Sequence, residues 1–149
     1  MEVRAATAED MVAVGQLSRE LARYVQDPDP GTDIAGLRDG LASPERWGDC
    51  LVAVSGGHVV GFATYCRIFE AHTREKRLWL GDLCVQADSR RQGVGRALVT
   101  ALRDVALSLG CVGLTLELAR GNIMGRRFYE RIGARAADDV QVLRISCPP

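Results

Sequence analysis

The sequence has 149 residues, of which 47% are hydrophobic and 26% are charged. This length and composition suit one domain with a sizeable apolar core, and they exclude a disordered chain. Because the 19 basic residues equal the 19 acidic residues in number, the overall charge gives no reason to expect nucleic acid or an anionic membrane as a partner, and any anion site must be local.

The first half of the chain predicts a strand, two helices and a hairpin. Thr7 and Asp10 have the spacing of a capping box, and apolar residues recur after them at helical intervals. Gly56-Gly57 separates two strand-like runs, a pattern typical of a tight hairpin turn. The predicted elements are a strand over 2–6, helices over 8–25 and about 34–41, and strands over 50–55 and 58–69.

The second half alternates strands and helices. The stretch RLWLGDLCV (77–85) is apolar on both faces apart from Asp82, which predicts a central strand. The spacing from Val94 to Leu109 predicts a long helix that Gly110 can end. A strand over 112–118, a helix over 122–132 capped by Asn122, and a final strand over 140–145 complete the order β-α-α-β-β-β-α-β-α-β. We therefore predict a mixed α/β fold in a single domain spanning 1–149.

The cysteines and the start of the chain indicate the compartment. Five cysteines are spread along the sequence without a CxxC pair, so neither a disulfide framework nor a zinc site is expected. The first ten residues lack a basic start followed by an apolar run, and no apolar stretch approaches the roughly 18 residues of a membrane span. We expect a cytoplasmic protein with reduced thiols, no metal, and neither a membrane nor a nucleic acid as partner.

The stretch SRRQGVGRAL (89–98) places a basic run and two close glycines ahead of the long helix. A helix N-terminus exposes unpaired N–H groups and partial positive charge, which attract phosphate. Gly93 and Gly95 lack a Cβ, so an anion can approach the backbone closely. The stretch therefore predicts a site for an anionic ligand, the alternative being a solvated basic helix start with incidental glycines.

Other phosphate-binding motifs fit this stretch less well. Gly93 and Gly95, with Glu117 about 20 residues further on, agree with a dinucleotide-binding fingerprint. The third glycine position of that fingerprint is Leu98, however, and seven residues (86–92) separate the strand from the first glycine. A P-loop is excluded because no GK[ST] follows the glycines.

Two blocks of the sequence resemble the GNAT superfamily of N-acetyltransferases. Arg90, Gly93 and Gly95 in RRQGVG are similar to that family's [Q/R]-x-x-G-x-[G/A] signature, preceded by the strand LGDLCV. The downstream NIMGRRFYERIGAR matches the family's Asn…Phe-Tyr…Gly pattern through Asn122, Phe128, Tyr129 and Gly133. The resemblance implies a GNAT-like fold in which the central strand splays from the next one, and acetyl-CoA as co-substrate.

The resemblance also implies where the cofactor binds. The diphosphate would lie on the N–H groups of the glycine loop, the pantetheine arm would pair with the central strand like an extra strand, and the Leu83 N–H would point at the thioester carbonyl. The implied cofactor-binding residues are Leu83, Cys84, Val85, Arg90, Arg91, Gln92, Gly93, Val94, Gly95, Arg96, Ala97, Asn122 and Tyr129.

The implied catalytic residues are Tyr129, Asp82 and Glu117. Tyr129 matches the family tyrosine that serves the departing thiolate. Amine acetyltransferases of this family carry L-E-D on the central strand, whereas this chain has Leu80-Gly81-Asp82, so Asp82 acting through water is our first candidate base and Glu117 the second. We expect acetyl transfer to a primary amine of a small molecule or a protein, with a possible homodimer. A non-catalytic acyl-CoA-binding domain and a dinucleotide-binding module are the alternatives.

Overall fold

The computed structural model describes residues 1–148, in which there are five strands and four α-helices. The strands are β1 (Glu2–Ala5), β2 (Asp49–Ser55), β3 (His58–Glu70), β4 (Glu75–Val85) and β5 (Gly113–Leu116). The helices are α1 (Met11–Val25), α2 (Ile34–Leu41), α3 (Val94–Ser108) and α4 (Ile123–Arg131). One compact unit, Met1–Glu117, holds the sheet with α1 to α3, and a second begins at Leu118 and holds α4.

The five strands form one mixed sheet in the order β1-β2-β3-β4-β5. The first four are antiparallel to their neighbours, and β5 is parallel to β4. A parallel neighbour requires a crossover connection, which α3 supplies. The predicted mixed α/β fold is therefore confirmed, and β4 lies inside the sheet between β3 and β5, as its two apolar faces predicted.

Helices cover both faces of the sheet. On one face Phe62 packs in a buried cluster with Met11 and Val14 of α1. On the other face a Cβ placed on Gly61 would lie 3.1 Å from Val94 and 3.3 Å from Leu98 of α3. Since neighbouring residues of a strand point to opposite faces, β3 lies between the two helical layers.

Local signals in the first half of the chain form as predicted. The Thr7 N–H donates to the Asp10 carboxylate at 2.7 Å, and a 3-10 turn (Ala8–Asp10) leads into α1. Arg4 donates to the same carboxylate at 2.7 and 3.0 Å, and this charged contact lowers the pKa of Asp10. Gly56 and Gly57 have φ of 57° and 80°, the left-handed conformation that a two-residue hairpin turn requires.

The predicted final strand over 140–145 is wrong. No strand is present there, and the apolar side chains of Val140, Val142, Leu143 and Ile145 are all exposed. A strand is held by its pairing with a neighbour and by burial of one face rather than by the propensity of its residues, and this segment has neither. In residues 1–148 no helix is both long and apolar enough to cross a membrane.

Candidate functional site

The glycine loop turns sharply into α3. After β4 a short 3-10 helix (Ala87–Ser89) is followed by Arg91 at φ 62° and Gly93 at φ 85°, both in the left-handed region. Gly93 is the residue that caps α3, and a Cβ added to it would have no protein atom within 4 Å. The start of α3 therefore lies beside open space, and the first backbone amides of a helix can bind anions in such a place.

The available amides are fewer than predicted. The N–H groups in the first turn of a helix have no carbonyl acceptor within that helix. The Ala97 N–H, in contrast, donates to the Gly93 carbonyl at 2.9 Å, so Ala97 already belongs to the helical ladder. The predicted set of anion-binding amides, Gln92 to Ala97, is therefore reduced to the amides from Gln92 to Arg96. Within it the Val94 side chain is buried and anchors the helix start to the core.

The arginines of the loop have different roles. Arg90 Nε donates to the Val85 carbonyl at 3.0 Å, and its guanidinium carbon lies 5.8 Å from the ring centroid of Tyr24 in α1. Arg90 therefore braces the loop against both β4 and α1. Arg91 and Arg96 are exposed and supply positive charge beside the helix start. Gln92 is held in the loop through its side-chain amide, which donates to the Asp88 carbonyl at 2.8 Å.

Strands β4 and β5 separate close to this loop. Their parallel pairing runs from Arg77 opposite Gly113 to Leu80 opposite Leu116, where β5 ends. β4 continues through Val85, so residues 81–85 extend beyond the ladder with β5. This is the predicted splay of the central strand pair, and it leaves one edge of β4 open within the first unit.

The backbone alternation of β4 determines which groups face the open edge. The Gln86 N–H donates to the Val60 carbonyl of β3 at 2.9 Å. Because successive residues of a strand direct their backbone groups to opposite sides, those of Cys84 also face β3, whereas those of Leu83 and Val85 face away. The Leu83 N–H therefore points into the splay, and its contact with a thioester carbonyl stays a prediction. Cys84 offers no backbone group there, and burial raises the pKa of its thiol to about 11.

A β-bulge lies between Leu80 and Leu83. Ala63 pairs with Leu83 and Tyr65 with Leu80, so Thr64 alone stands opposite two residues, Gly81 and Asp82. The Asp82 N–H donates to the Thr64 hydroxyl oxygen at 2.8 Å. Thr64 is not among the residues predicted from the sequence. The glycine inside the strand LGDLCV could have indicated the bulge that Thr64 faces, because an interior glycine often marks a bulge.

The two candidate bases flank the splay. Asp82 lies in the bulge. Its side chain is exposed by surface area, yet the surrounding protein partly desolvates it and raises the pKa of its carboxyl group. Glu117 follows the last residue of β5 and is also exposed. Both residues therefore lie where the two strands part.

The second unit contains the downstream motif. The Asn122 side-chain oxygen accepts from the Gly125 N–H at 2.9 Å, so Asn122 caps α4 as predicted. Tyr129 is half-buried, and its ring contacts that of Phe128 edge to face at 5.0 Å between centroids. Met124, one helical turn before Phe128, is 65% exposed. The roles of Asn122 and Tyr129 toward a cofactor stay predictions.

Comparisons with known proteins agree with this architecture. The Acetyltransferase (GNAT) family matches residues 15–134. The chain is 28% identical over 143 residues to the thialysine N-epsilon-acetyltransferase of Sus scrofa, covering 89% of this chain and 83% of that protein. It is 29% identical over 137 residues to the uncharacterized N-acetyltransferase YhfO of Bacillus subtilis (strain 168), covering 89% of each.

A solved structure shares the fold along almost the whole chain. It is the crystal structure of a possible acetyltransferase from Clostridium difficile 630, which matches with a TM-score of 0.87 at 20% identity and covers 99% of this chain and 98% of that one. The resemblance seen in the glycine loop and the downstream motif is confirmed by the family match over most of the chain. This chain belongs to the GNAT family of acetyltransferases.

Proposed function

We propose that this protein is a single-domain N-acetyltransferase that transfers the acetyl group of acetyl-CoA to a primary amine. The observation that carries the proposal is the open edge of β4 beside the outward-facing amides of α3. A ligand with an anionic end and an extended, amide-containing arm matches both features. Acetyl-CoA has a diphosphate at one end, a pantetheine arm in the middle and a thioester at the other end.

The cofactor would bind along these two features. Its diphosphate would accept hydrogen bonds from the amides between Gln92 and Arg96, with Arg91 and Arg96 adding positive charge. The pantetheine amides would pair with the open edge of β4 as a further strand does. The Leu83 N–H would then donate to the thioester oxygen, where negative charge develops during attack. Asn122 would act as both helix cap and cofactor contact.

The reaction requires a free amine and a protonated leaving group. At pH 7 the deprotonation of a lysine-like amine, with a pKa of about 10.4, costs roughly 4.6 kcal/mol. Asp82 would accept that proton through a water, and Glu117 is the second candidate. The amine nitrogen bonds to the thioester carbon, the carbon–sulfur bond breaks, and Tyr129 gives a proton to the departing thiolate. Positioning of the amine and the thioester could supply roughly 7–11 kcal/mol.

The acceptor would be a small primary amine. Similarity to a thialysine N-epsilon-acetyltransferase supports a side-chain amine of an amino-acid-like molecule over a protein amine. We further propose that the enzyme acts in the cytoplasm and needs no metal. A homodimer stays a prediction that sedimentation equilibrium would test.

A second candidate function is acyl-CoA binding without catalysis. Gly81 favours it, because this glycine stands where related amine acetyltransferases carry the glutamate of L-E-D. In that case the loop would bind the cofactor, but no amine would react.

The test combines calorimetric titration of acetyl-CoA with a thiol-release assay over thialysine, lysine, spermidine and a peptide with a free N-terminus. We expect binding, and turnover on a small amine. Binding without turnover on any amine would favour the acyl-CoA-binding function. No binding at millimolar acetyl-CoA would refute both, and NADH binding in its place would favour a dinucleotide-binding module.

A further inference from the structure

The β4 bulge is held by a side chain rather than by backbone pairing. An extra residue in a strand leaves a backbone group without its ladder partner, and a polar group left without a partner destabilises the fold. Here the Asp82 N–H finds its acceptor in the Thr64 hydroxyl oxygen at 2.8 Å. Thr64 is the single residue of β3 that faces the two bulged residues, Gly81 and Asp82.

Gly81 and the Thr64 hydroxyl occupy one small space. A Cβ built on Gly81 would lie 2.8 Å from Thr64 Oγ1, closer than real Cβ atoms approach an oxygen. The other Thr64 atoms near that Cβ, the backbone oxygen and the side-chain Cβ, are at 3.8 and 3.9 Å, which is ordinary contact. Of the three nearest atoms, the hydroxyl oxygen is therefore the one that a side chain at position 81 would displace.

The bulge also determines which way the residues after it face. Shifting a strand by one residue exchanges the two sides of every following residue. With the bulge in place, the Leu83 N–H points into the splay and the Cys84 backbone faces β3. Without it, Leu83 would turn its N–H toward β3, and the Asp82 side chain would turn to the opposite face of the sheet.

We propose that Thr64 is a positioning residue, whose hydroxyl fixes the bulge at Gly81 and Asp82 and thereby aims the Asp82 carboxylate and the Leu83 N–H at the reacting thioester. This role rests on the proposed function. It also explains why glycine occupies position 81, since a residue without a Cβ leaves space for the hydroxyl that holds the bulge. Thr64 itself touches no reacting atom.

The first experiment compares two replacements of Thr64 in the full-length protein. Thr64→Val keeps the shape and removes the hydroxyl, whereas Thr64→Ser keeps the hydroxyl. We expect Thr64→Val to lower kcat roughly 10–100-fold, the range that a misplacement of about 1 Å can cause, with the calorimetric Kd for acetyl-CoA changed by less than about threefold. Thr64→Ser should stay within about threefold of the wild-type kcat.

The second experiment tests the shared space directly. Gly81→Ala should lower Tm in the wild-type background, because the new Cβ displaces the Thr64 hydroxyl. The same substitution should lower Tm by a smaller amount in a Thr64→Ala background, where the oxygen is gone, and by an undiminished amount in a Thr64→Ser background. Equal losses in the wild-type and Thr64→Ala backgrounds would show that no such coupling exists.

The outcomes separate this inference from the proposed function. Wild-type protein without turnover on any amine overturns the proposed function and the catalytic purpose of Thr64 together. Active wild-type protein with an equally active Thr64→Val variant overturns the role of Thr64 alone. Amide exchange adds a readout that needs no substrate: the Asp82 N–H should exchange faster in Thr64→Val than in Thr64→Ser, and equal rates would contradict the hydrogen bond on which the inference depends.

Discussion

Replacing Gly93 with alanine separates backbone strain from ligand binding. Gly93 has φ 85°, where an L-residue other than glycine is strained by about 1–2 kcal/mol. No protein atom lies within 4 Å of the new Cβ, so no steric clash within the protein adds to that strain. For a chain of about 150 residues, we expect a fall in Tm of about 2–8 °C.

The same methyl group would project where the diphosphate is proposed to bind. Hydrogen bonds to a charged group each contribute about 1.5–3 kcal/mol, and each 1.4 kcal/mol is a factor of ten in Kd. If the methyl group displaces one such bond, the Kd for acetyl-CoA should rise about 10–100-fold. Calorimetric titration measures this change directly, and valine, being larger, should weaken binding further.

Gly110 provides a matched control at the other end of the same helix. It has φ 69°, and a Cβ there would also have no neighbour within 4 Å. Gly110→Ala should therefore lower Tm by a similar amount and leave the Kd for acetyl-CoA unchanged. Equal affinity in the two variants would refute our placement of the diphosphate at the start of α3.

Three further predictions concern single side chains. Tyr129→Phe should slow turnover with little change in the Kd for acetyl-CoA, and an unchanged kcat would remove its role as proton donor. Asp82→Asn should lower kcat about 100-fold or more. We expect kcat/KM of the wild-type protein to fall at acidic pH as Asp82 is protonated, and the Asn variant should lack this fall. Because the pKa of Asp82 is raised in the folded state, its ionisation lowers the stability of the fold as pH rises above its ordinary pKa of 3.8. The Asn variant should therefore be no less stable than the wild type at pH 7. A marked loss of stability would indicate a structural role for Asp82. Asp10→Ala should cost about 2 kcal/mol in chemical denaturation, because it removes the acceptor of both Thr7 and Arg4. Because the pKa of Asp10 is lowered on folding, that difference is fully present above pH 3.8 and should shrink as pH falls through the lowered pKa; a pH-independent difference would contradict it.

The open edge of β4 shows which features of the candidate site could be predicted from the sequence. The resemblance to the GNAT family implied the splay, which the observed ladder has, whereas the contact between the Leu83 N–H and a thioester stays a prediction. It also included Cys84 and Ala97 among the cofactor contacts. The Cys84 backbone, however, faces β3, and the Ala97 N–H donates to a carbonyl within α3. Those differences depend on hydrogen-bond partners that the motif does not specify.

Sequence by itself determined the features that arise within a few residues of chain. The Gly56-Gly57 turn, the Thr7–Asp10 capping box and the Asn122 cap are local because their partners lie one to three positions away. Tertiary structure alone decided the features that need a distant partner. Thr64 meets Asp82 across two strands, Arg90 reaches Tyr24 on α1, and the strand-like segment 140–145 forms no strand, because a strand requires a neighbour to pair with and a core to bury one of its faces.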